Sequence, residues 1–173
     1  IPGTIGGAVV RNAGAYGGEM KQVAVRTEYL DAAGNLRCLD GAEQEFSYRR
    51  SAITGSTHVI VAGTFALTPD AESKIRETMQ ELMARRKASQ PLELPSAGST
   101  FKRPVGGYAA ALIEQAGLKG VQIGGAAVSS KHTGFVVNLG GATEADVLAL
   151  IAYIQKRVLE TSGIALETEV IRL

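Results

Sequence analysis

The 173-residue chain carries 18 basic and 17 acidic residues, so its formal net charge is +1. This balance excludes a generally basic surface of the kind that binds nucleic acid or an acidic membrane, and any charged site must therefore be local. The single cysteine excludes an internal disulfide and is typical of a reducing compartment. No segment approaches the ~20 apolar residues of a membrane-spanning helix, and no signal segment is visible.

The first 18 residues, IPGTIGGAVVRNAGAYGG, are unusually rich in glycine. Such density predicts tight turns or close approach of the backbone to a ligand, and backbone amides here could cradle a pyrophosphate. The spacing fits neither the G-x-G-x-x-G dinucleotide fingerprint nor a P-loop, and a purely structural role stays open. The chain begins inside this motif without a methionine, so we expect that an upstream part is missing.

The next part of the chain is typical of β-structure. Residues 22–30 and 36–39 flank the turn formed by residues 33–35 and predict a hairpin, and residues 58–67 predict a further strand. The segment EFSYRRS lies between them. Arg49 of this segment is a natural clamp for a carboxylate because its planar guanidinium binds in a bidentate manner. On the local residues alone, a solvated arginine pair is the favoured explanation.

A long helix is predicted to follow, from Asp70 to about Ala88. Thr68 is the expected N-cap, Pro69 occupies the first turn, and basic residues end the helix. Its apolar stripe predicts a face that belongs to the core. The stripe consists of Ile75, Met79, Leu82 and Met83.

The segment PSAGSTFKRP, residues 95–104, is the most suggestive local pattern for chemistry. Two prolines disfavour helix, so Ser99 is expected in a short extended segment after a turn at Gly98. A hydroxyl held beside Lys102 and Arg103 suits an anionic substrate, although a serine in a surface turn is an adequate explanation.

The remaining pattern alternates short strands with helices. It predicts a helix over residues 108–116, a buried strand over 135–138 and a final strand over 164–173. A second long helix is predicted to start at a capping box on Thr143 and to stop at Gly163. His132 lies in a loop, where it either contacts a ligand or is simply exposed to solvent. Glu167 and Glu169 share one side of the final strand, where they bind a ligand or face water.

This order of elements predicts an α+β fold and not a doubly wound sheet. We expect two domains, residues 1–68 and 69–173.

Metal catalysis is not expected, because the two histidines are far apart and Cys38 has no cysteine partner. The Ser99-x-x-Lys102 spacing resembles serine acyl-enzymes, but that chemistry needs a helix which the flanking prolines disfavour. Ser99, Arg49 and Glu169 remain, a set suited to stabilising an enolate and moving its proton.

Five motifs appear in one order along the chain: IPGTIGGAVVRNAGAYGG, YRRS, AGSTFKRP, GLKGVQIGGAAVSSKHTGF and LETEVIRL. Together they resemble the UDP-N-acetylenolpyruvoylglucosamine reductases, flavoproteins of bacterial peptidoglycan precursor synthesis. The resemblance implies a cytoplasmic enzyme with FAD and NADPH as cofactors and a UDP-sugar enolpyruvate as its small-molecule substrate. Hydride would pass from the reduced flavin N5 to the enolpyruvyl C3, and a serine would then protonate C2, giving UDP-N-acetylmuramate.

The same resemblance implies roles for individual residues. Ser99 matches the proton-donating serine, and Arg49 and Glu169 match the residues that stabilise the enol intermediate. The implied substrate contacts are Tyr48, Lys87, Arg103 and His132. The implied cofactor-binding residues are Ile1, Pro2, Gly3, Thr4, Gly6 and Gly7, and no metal is implied.

The chain departs from the family pattern in two respects. The family's N-terminal region, which carries much of its FAD site, is not included, so residues 1–68 are expected to be the later part of an FAD-binding domain. The junction before Asp70 leaves no room for the tyrosine-bearing loop of one family branch, which predicts the branch that lacks it. The alternative function is a flavin-free fragment that binds the UDP-sugar without redox chemistry.

Overall fold

The computed structural model describes residues 3–171 and divides into two compact units, Ile1–Glu77 and Thr78–Leu173. Helices and small antiparallel sheets are combined in the chain, which confirms the predicted α+β class. The division between the compact units lies inside a helix, whereas the expected domains meet at residues 68 and 69. That domain assignment therefore stays a prediction. Each unit is described by itself below.

The first unit is built on a three-stranded antiparallel sheet with strand order β4-β3-β5. The predicted hairpin and the strand after it are confirmed. Asp31 closes the hairpin turn, because its carboxylate accepts hydrogen bonds from the amides of Ala33 and Asn35. The elements of this unit are α1 (Ile5–Val10), β1 (Gly14–Ala15), β2 (Gly18–Glu19), β3 (Ala24–Leu30), β4 (Leu36–Asp40) and β5 (Val59–Phe65).

The glycine-rich segment departs in part from the predicted series of turns. Residues Ile5–Val10 form a short helix, and the Thr4 side chain caps it by accepting a hydrogen bond from the Gly7 amide at 3.1 Å. Tertiary context overrides the poor helix propensity of its two glycines. The turns appear after this helix, where Asn12 and Tyr16 adopt positive φ angles of 42° and 53°.

Helix α2 (Glu72–Ser89) confirms the predicted long helix, but its start and its apolar stripe were predicted wrongly. The helix begins after Asp70, whose carboxylate accepts a hydrogen bond from the Ala71 amide. No residue of α2 is buried, and Met79 is 65% exposed. An apolar stripe becomes core only where another element covers it, and spacing alone does not reveal whether a cover exists.

The second unit packs two helices against a four-stranded antiparallel sheet with strand order β6-β9-β8-β7. The main core joins α3 and α4 to one face of the sheet through residues such as Ile113, Val136 and Ile154. The opposite face buries Phe135 and Val137 in a second cluster, so the predicted strand over 135–138 is confirmed and is covered on both faces. The elements are β6 (Ser96–Ser99), α3 (Ala109–Gln115), β7 (Gln122–Ile123), β8 (Ala126–Val128), β9 (Phe135–Asn138) and α4 (Glu144–Ser162).

The ends of α4 were predicted correctly. Thr143 and Asp146 form a reciprocal capping box, and Gly163 ends the helix at a φ of 71°. The strand predicted after it is wrong as a regular element within the described residues. Thr168 forms only an isolated bridge with Phe101, and backbone hydrogen bonds between Lys102 and Glu167 and between Glu169 and Thr100 flank it.

Candidate active site

Ser99 lies at the end of β6, directly after a β-bulge. Ser96 pairs with Val137 and Ser99 with Phe135, so β6 contains one more residue than β9 between these two pairs. Gly98 occupies the bulge with a φ of 82°, a conformation in which a side chain would be strained. The bulge re-aims the strand and leaves Ser99 exposed. A backbone feature specific to glycine therefore sets the position of the candidate proton donor.

Thr100 anchors the bulge from the buried side. Its side chain is 3% exposed, and its Oγ1 accepts a hydrogen bond from the Val136 amide at 3.0 Å. The Thr100 amide donates to the Gly134 carbonyl at 2.9 Å. The residue next to Ser99 is therefore held by both backbone and side chain. Sequence reasoning missed this role, for which a threonine after a turn is the only visible signal.

The C-terminal segment brings Glu169 to the same place. The Glu169 amide donates to the Thr100 carbonyl at 2.9 Å, and the Lys102 amide donates to the Glu167 carbonyl at 2.8 Å. Glu169 is half-buried, whereas Glu167 is exposed and forms an ion pair with Lys102. The structure thus brings Glu169 beside the strand that presents Ser99.

The extended backbone here also decides against the serine acyl-enzyme alternative. Ser99 ends a strand, and the Lys102 ammonium is engaged with the Glu167 carboxylate. A Ser-x-x-Lys nucleophile and its base require one face of a helix. The spacing is therefore a coincidence of sequence.

Arg49 belongs to the first unit, where it lies at the tip of a tight turn. Ser47 and Arg50 exchange two backbone hydrogen bonds across this turn, and Arg49 adopts a φ of 57°. Its guanidinium lies over the Tyr48 ring, 4.9 Å from the ring centroid. Left-handed backbone at a non-glycine residue is uncommon and often marks a functional turn.

Asn12 holds the Arg49 turn and was missed by sequence reasoning. It is 1% exposed, and its Nδ2 donates to the Ser47 carbonyl and to Glu19 Oε2, both at 3.0 Å. Hydrogen bonds from Lys21 and Asn12 lower the pKa of the Glu19 carboxyl, and the positive charge of Arg49 adds to this effect. The glycine-rich segment is thereby tied to the turn that carries Arg49. Asparagine tolerates positive φ better than most residues, and this tolerance was the signal for the turn that the sequence offered.

The predicted cofactor residues Gly3, Thr4 and Gly7 line a cavity of about 580 Å³ in the first unit. Gly6 lies in the same helix but is not part of the lining, and a side chain there would contact Ile60. The volume falls within the range of small-molecule sites. Ile1 and Pro2, which were predicted with this group, lie outside the described residues.

Two of the predicted substrate contacts, Lys87 and His132, lie near one loop of the second unit. The Lys131 ammonium donates to the Lys87 carbonyl at 2.7 Å and tethers the end of α2 to this loop. The His132 amide donates to Ser129 Oγ, and His132 Nδ1 accepts from the Gly134 amide at 3.1 Å. This arrangement leaves Nε2 of the imidazole for a ligand.

Arg103, the remaining predicted substrate contact, stacks on an aromatic side chain. Its guanidinium lies 4.1 Å from the centroid of the Tyr108 ring, and its Nε donates to the Gly107 carbonyl at 3.3 Å. Both groups are exposed. The cation is therefore held at the surface in a fixed orientation.

Residues 3–171 contain no group of three or more His, Cys, Asp or Glu side chains placed to hold a metal ion. Within the same residues no helix is both long and apolar enough to cross a membrane.

Comparisons with known proteins bear on the motif resemblance. Residues 90–173 match the family model described as UDP-N-acetylenolpyruvoylglucosamine reductase, C-terminal domain. The chain is 54% identical over 170 residues to the UDP-N-acetylenolpyruvoylglucosamine reductase of Levilactobacillus brevis, covering 98% of this chain and 56% of that protein. It is 52% identical, with the same coverage, to the protein of that name from Caldanaerobacter subterraneus subsp. tengcongensis.

A solved structure gives the same result. The crystal structure of UDP-N-acetylenolpyruvylglucosamine reductase from Thermus caldophilus matches with a TM-score of 0.83 and 35% identity. The match covers 99% of this chain and 62% of that one, so this chain spans a little over half the length of the relatives it matches. The resemblance indicated by the five motifs is confirmed: the chain belongs to the UDP-N-acetylenolpyruvoylglucosamine reductase family, and its residues 90–173 match that family's C-terminal domain.

Proposed function

We propose that this chain is the substrate-reducing part of an FAD- and NADPH-dependent enzyme. The enzyme converts UDP-N-acetylglucosamine enolpyruvate to UDP-N-acetylmuramate in peptidoglycan precursor synthesis. The names of the relatives and of the solved structure support the reaction class. When bound, FAD supplies the relay that carries a hydride from NADPH to the substrate.

The observation that carries the proposal is the pairing of the C-terminal segment with the strand of Ser99. The Glu169 amide donates to Thr100, the residue after Ser99, so a hydroxyl and a carboxyl come from two adjacent segments. A hydroxyl and a carboxyl group on adjacent segments suit proton delivery to C2, the carbon next to the C3 that accepts the hydride. Ser99 donates this proton at C2 of the enolpyruvyl group.

Glu169 and Arg49 stabilise the enol form of the substrate in this scheme. Arg49, whose guanidinium lies over the Tyr48 ring, would bind the carboxylate that the enolpyruvyl group carries. The half-buried carboxyl of Glu169 would hydrogen-bond the developing enol oxygen.

The UDP-sugar portion is bound by the other residues that the motifs indicated. Cationic side chains suit the diphosphate, and His132 offers Nε2 to the same part of the substrate. The residues proposed for this binding are Tyr48, Lys87, Arg103 and His132.

The glycine-rich cavity fits the cofactor on an observation of its own. Its lining includes Arg11, and none of the described residues in that lining is acidic. A cavity with a cationic residue and no acid in its described lining is suited to a ligand with anionic groups. The backbone of Gly3, Thr4 and Gly7 would lie against the cofactor. Gly6 would lie in the same segment but outside the cavity lining.

A flavin-free fragment that binds the UDP-sugar without redox chemistry is the second candidate, and the comparisons do not favour it. The visible spectrum of the purified protein separates the two candidates. Bands near ~370 and ~450 nm, the usual flavin range, support the reductase. A colourless protein that binds the UDP-sugar would support the fragment.

The substitution Ser99→Ala tests the proton donor. We expect NADPH to reduce the cofactor at the normal rate, whereas turnover with the enol substrate falls by about 10²–10⁴, the usual contribution of a positioned acid. Stopped-flow absorbance follows the two half-reactions separately. The control is Ser89→Ala, which removes an exposed hydroxyl that bonds only to carbonyls of its own helix. Normal turnover in Ser99→Ala would show that another group delivers the proton.

A further inference from the structure

The turn that carries Arg49 is short and has a strained backbone. Residues 47–50 close it with two backbone hydrogen bonds between Ser47 and Arg50, at 3.0 and 3.2 Å. Arg49 adopts a φ of 57°, a left-handed conformation that is unfavourable for a residue with a Cβ. Strained backbone of this kind persists only where the surrounding structure holds it in place. The bonds that reach this turn from other segments therefore bear on the position of Arg49.

Asn12 holds the turn on its N-terminal side through a side-chain amide whose donors and acceptor are all bonded. Its Nδ2 donates to the Ser47 carbonyl and to Glu19 Oε2, both at 3.0 Å, and its Oδ1 accepts from the Lys21 amide at 2.9 Å. The residue is 1% exposed, so these bonds are shielded from water. A buried amide that is satisfied in this way makes its surroundings rigid. The Ser47 carbonyl is thus fixed by a residue 35 positions earlier in the chain.

Ser51 and Thr54 hold the turn on its C-terminal side. The buried Ser51 hydroxyl donates to the Val10 carbonyl at 3.0 Å, and the Thr54 hydroxyl donates to the same oxygen at 2.7 Å. Val10 is the last residue of α1, and the last carbonyls of a helix have no partner within the helix itself. The motif YRRS therefore ends in a serine that ties the turn to the end of α1.

Asn12 also acts on the side chain of Arg49, through Glu19. Hydrogen bonds from Lys21 and Asn12 lower the pKa of the Glu19 carboxyl, and the positive charge of Arg49 adds to this effect. The Glu19 carboxylate and the Arg49 guanidinium are therefore within electrostatic reach of each other. Asn12 thus bonds both to the backbone of the turn and to an acid that attracts the guanidinium of Arg49.

We propose that Asn12 and Ser51 are positioning residues of the reaction, which act by fixing the turn that presents Arg49 to the substrate. The motifs implied no role for either residue. The inference rests on the proposed function, in which Arg49 binds the enolpyruvyl carboxylate. Such a group must be in place before the substrate arrives, because a displacement of about 1 Å costs up to about a hundredfold in rate. Asn12 and Ser51 act through Arg49 and touch neither substrate nor cofactor in this assignment.

The test is a double-mutant cycle on turnover with the enol substrate, measured on the holoenzyme. Its members are the unchanged protein, Asn12→Gly, Arg49→Met and the combination of both substitutions. Glycine adopts the φ of 42° found at position 12 without strain, so Asn12→Gly removes the side-chain bonds and leaves the backbone conformation available. The matched control is Asn35→Gly, which removes an exposed asparagine whose amide donates to Asp31 within its own turn.

We expect Asn12→Gly to lower turnover by about ten- to a hundredfold while Arg49 is present, since the guanidinium loses its position. In the Arg49→Met background the same substitution should lower turnover by less than about twofold, because the group that it positions is already gone. A merely structural role predicts the same loss in both backgrounds. Asn35→Gly should leave turnover unchanged within about twofold.

Ser51→Ala is a milder second variant and keeps the test decisive if the first variant does not fold. It removes one of the two hydroxyls that donate to the Val10 carbonyl, so this carbonyl keeps a partner. We expect a loss of about three- to tenfold in turnover, which disappears in the Arg49→Met background. Ser56→Ala is the matched control, because the Ser56 hydroxyl donates to the Ile53 carbonyl of its own loop.

Equal losses of turnover with and without Arg49 would overturn the inference, in Asn12→Gly or, where that variant does not fold, in Ser51→Ala. The proposed function fails separately, if the unchanged protein does not reduce the enol substrate. NMR then decides the positioning role, because the amide-to-Hα coupling and the Cα chemical shift of Arg49 report its φ. A left-handed φ that is lost in the folded variant supports the role, and a left-handed φ that persists there refutes it.

Discussion

Thr100→Val is the substitution that most directly tests how the protein positions Ser99. Valine has nearly the shape of threonine but cannot accept a hydrogen bond, so the Val136 amide loses its acceptor. Val136 is 8% exposed and lies in β9, where water has little access. The substitution therefore isolates one buried hydrogen bond next to the candidate proton donor.

The expected magnitude follows from the burial of the two groups. An orphaned donor costs about 1–3 kcal/mol of stability, since the amide loses its partner without regaining water. In a unit of this size each kcal/mol lowers the melting temperature by about 4–8 °C. Thr100→Ser is the matched control, because it keeps the acceptor and loses one methyl group, a cost of about 0.8 kcal/mol.

Hydrogen exchange of the Val136 amide, measured by NMR, separates the two variants. We expect Thr100→Val to speed this exchange markedly, whereas Thr100→Ser keeps the amide protected. Turnover should fall in Thr100→Val as the bulge loosens around Ser99. An amide that stays protected in Thr100→Val, with unchanged stability, would refute the role given to the Thr100 hydroxyl.

Three further predictions concern stability. Gly125→Ala should lower the stability of the second unit by about 1–3 kcal/mol in urea unfolding, because the new Cβ would lie 2.6 Å from the Gly140 carbonyl oxygen. The control is Gly107→Ala, where a Cβ meets open space and stability should change by less than about 0.5 kcal/mol. Thr143→Ala should cost about 0.5–2 kcal/mol through loss of the α4 cap, measured by thermal unfolding; an unchanged melting temperature would contradict the cap. Hydrogen bonds, chiefly from Asn35, lower the pKa of Asp31 from 3.8 to about 2. The ionised carboxylate therefore contributes to folding stability above pH 3.8, and this contribution is lost as the pH falls through about 2. The acid dependence of unfolding should therefore be shallower over this range in Asp31→Asn, and equal dependence would contradict the role of these hydrogen bonds.

The elements that sequence reasoning predicted correctly are those whose signals are local. Helix α4 has its cap, its apolar face and its terminal glycine within one stretch of chain, and all three agree. The hairpin of β3 and β4 likewise has its turn chemistry between two β-rich runs, and the Asp31 carboxylate completes that turn. Such features need no knowledge of distant residues.

The features that sequence reasoning missed depend on distant partners. The exposure of Met79 on α2 depends on whether another element covers the stripe, and the helix α1 forms despite its glycines. Asn12 is important because Ser47, 35 positions away, offers a carbonyl. The Thr100 hydroxyl likewise finds its partner 36 positions away, at Val136. No periodicity or spacing encodes such pairs.

The candidate site combines both kinds of information. The motif around Ser99 could be found from residue types alone, since a glycine before a serine between two prolines already predicts a special turn. The proposed chemistry also uses Glu169, whose segment is held beside Ser99 by two backbone hydrogen bonds, one from the Glu169 amide to Thr100 and one from the Lys102 amide to Glu167. A strand of only four residues with a bulge cannot hold such a position by its ladder alone, because the bulge leaves one residue unpaired. The buried Thr100 hydroxyl and the C-terminal segment supply the missing bonds, so the rigidity of the site comes from the residue next to the serine.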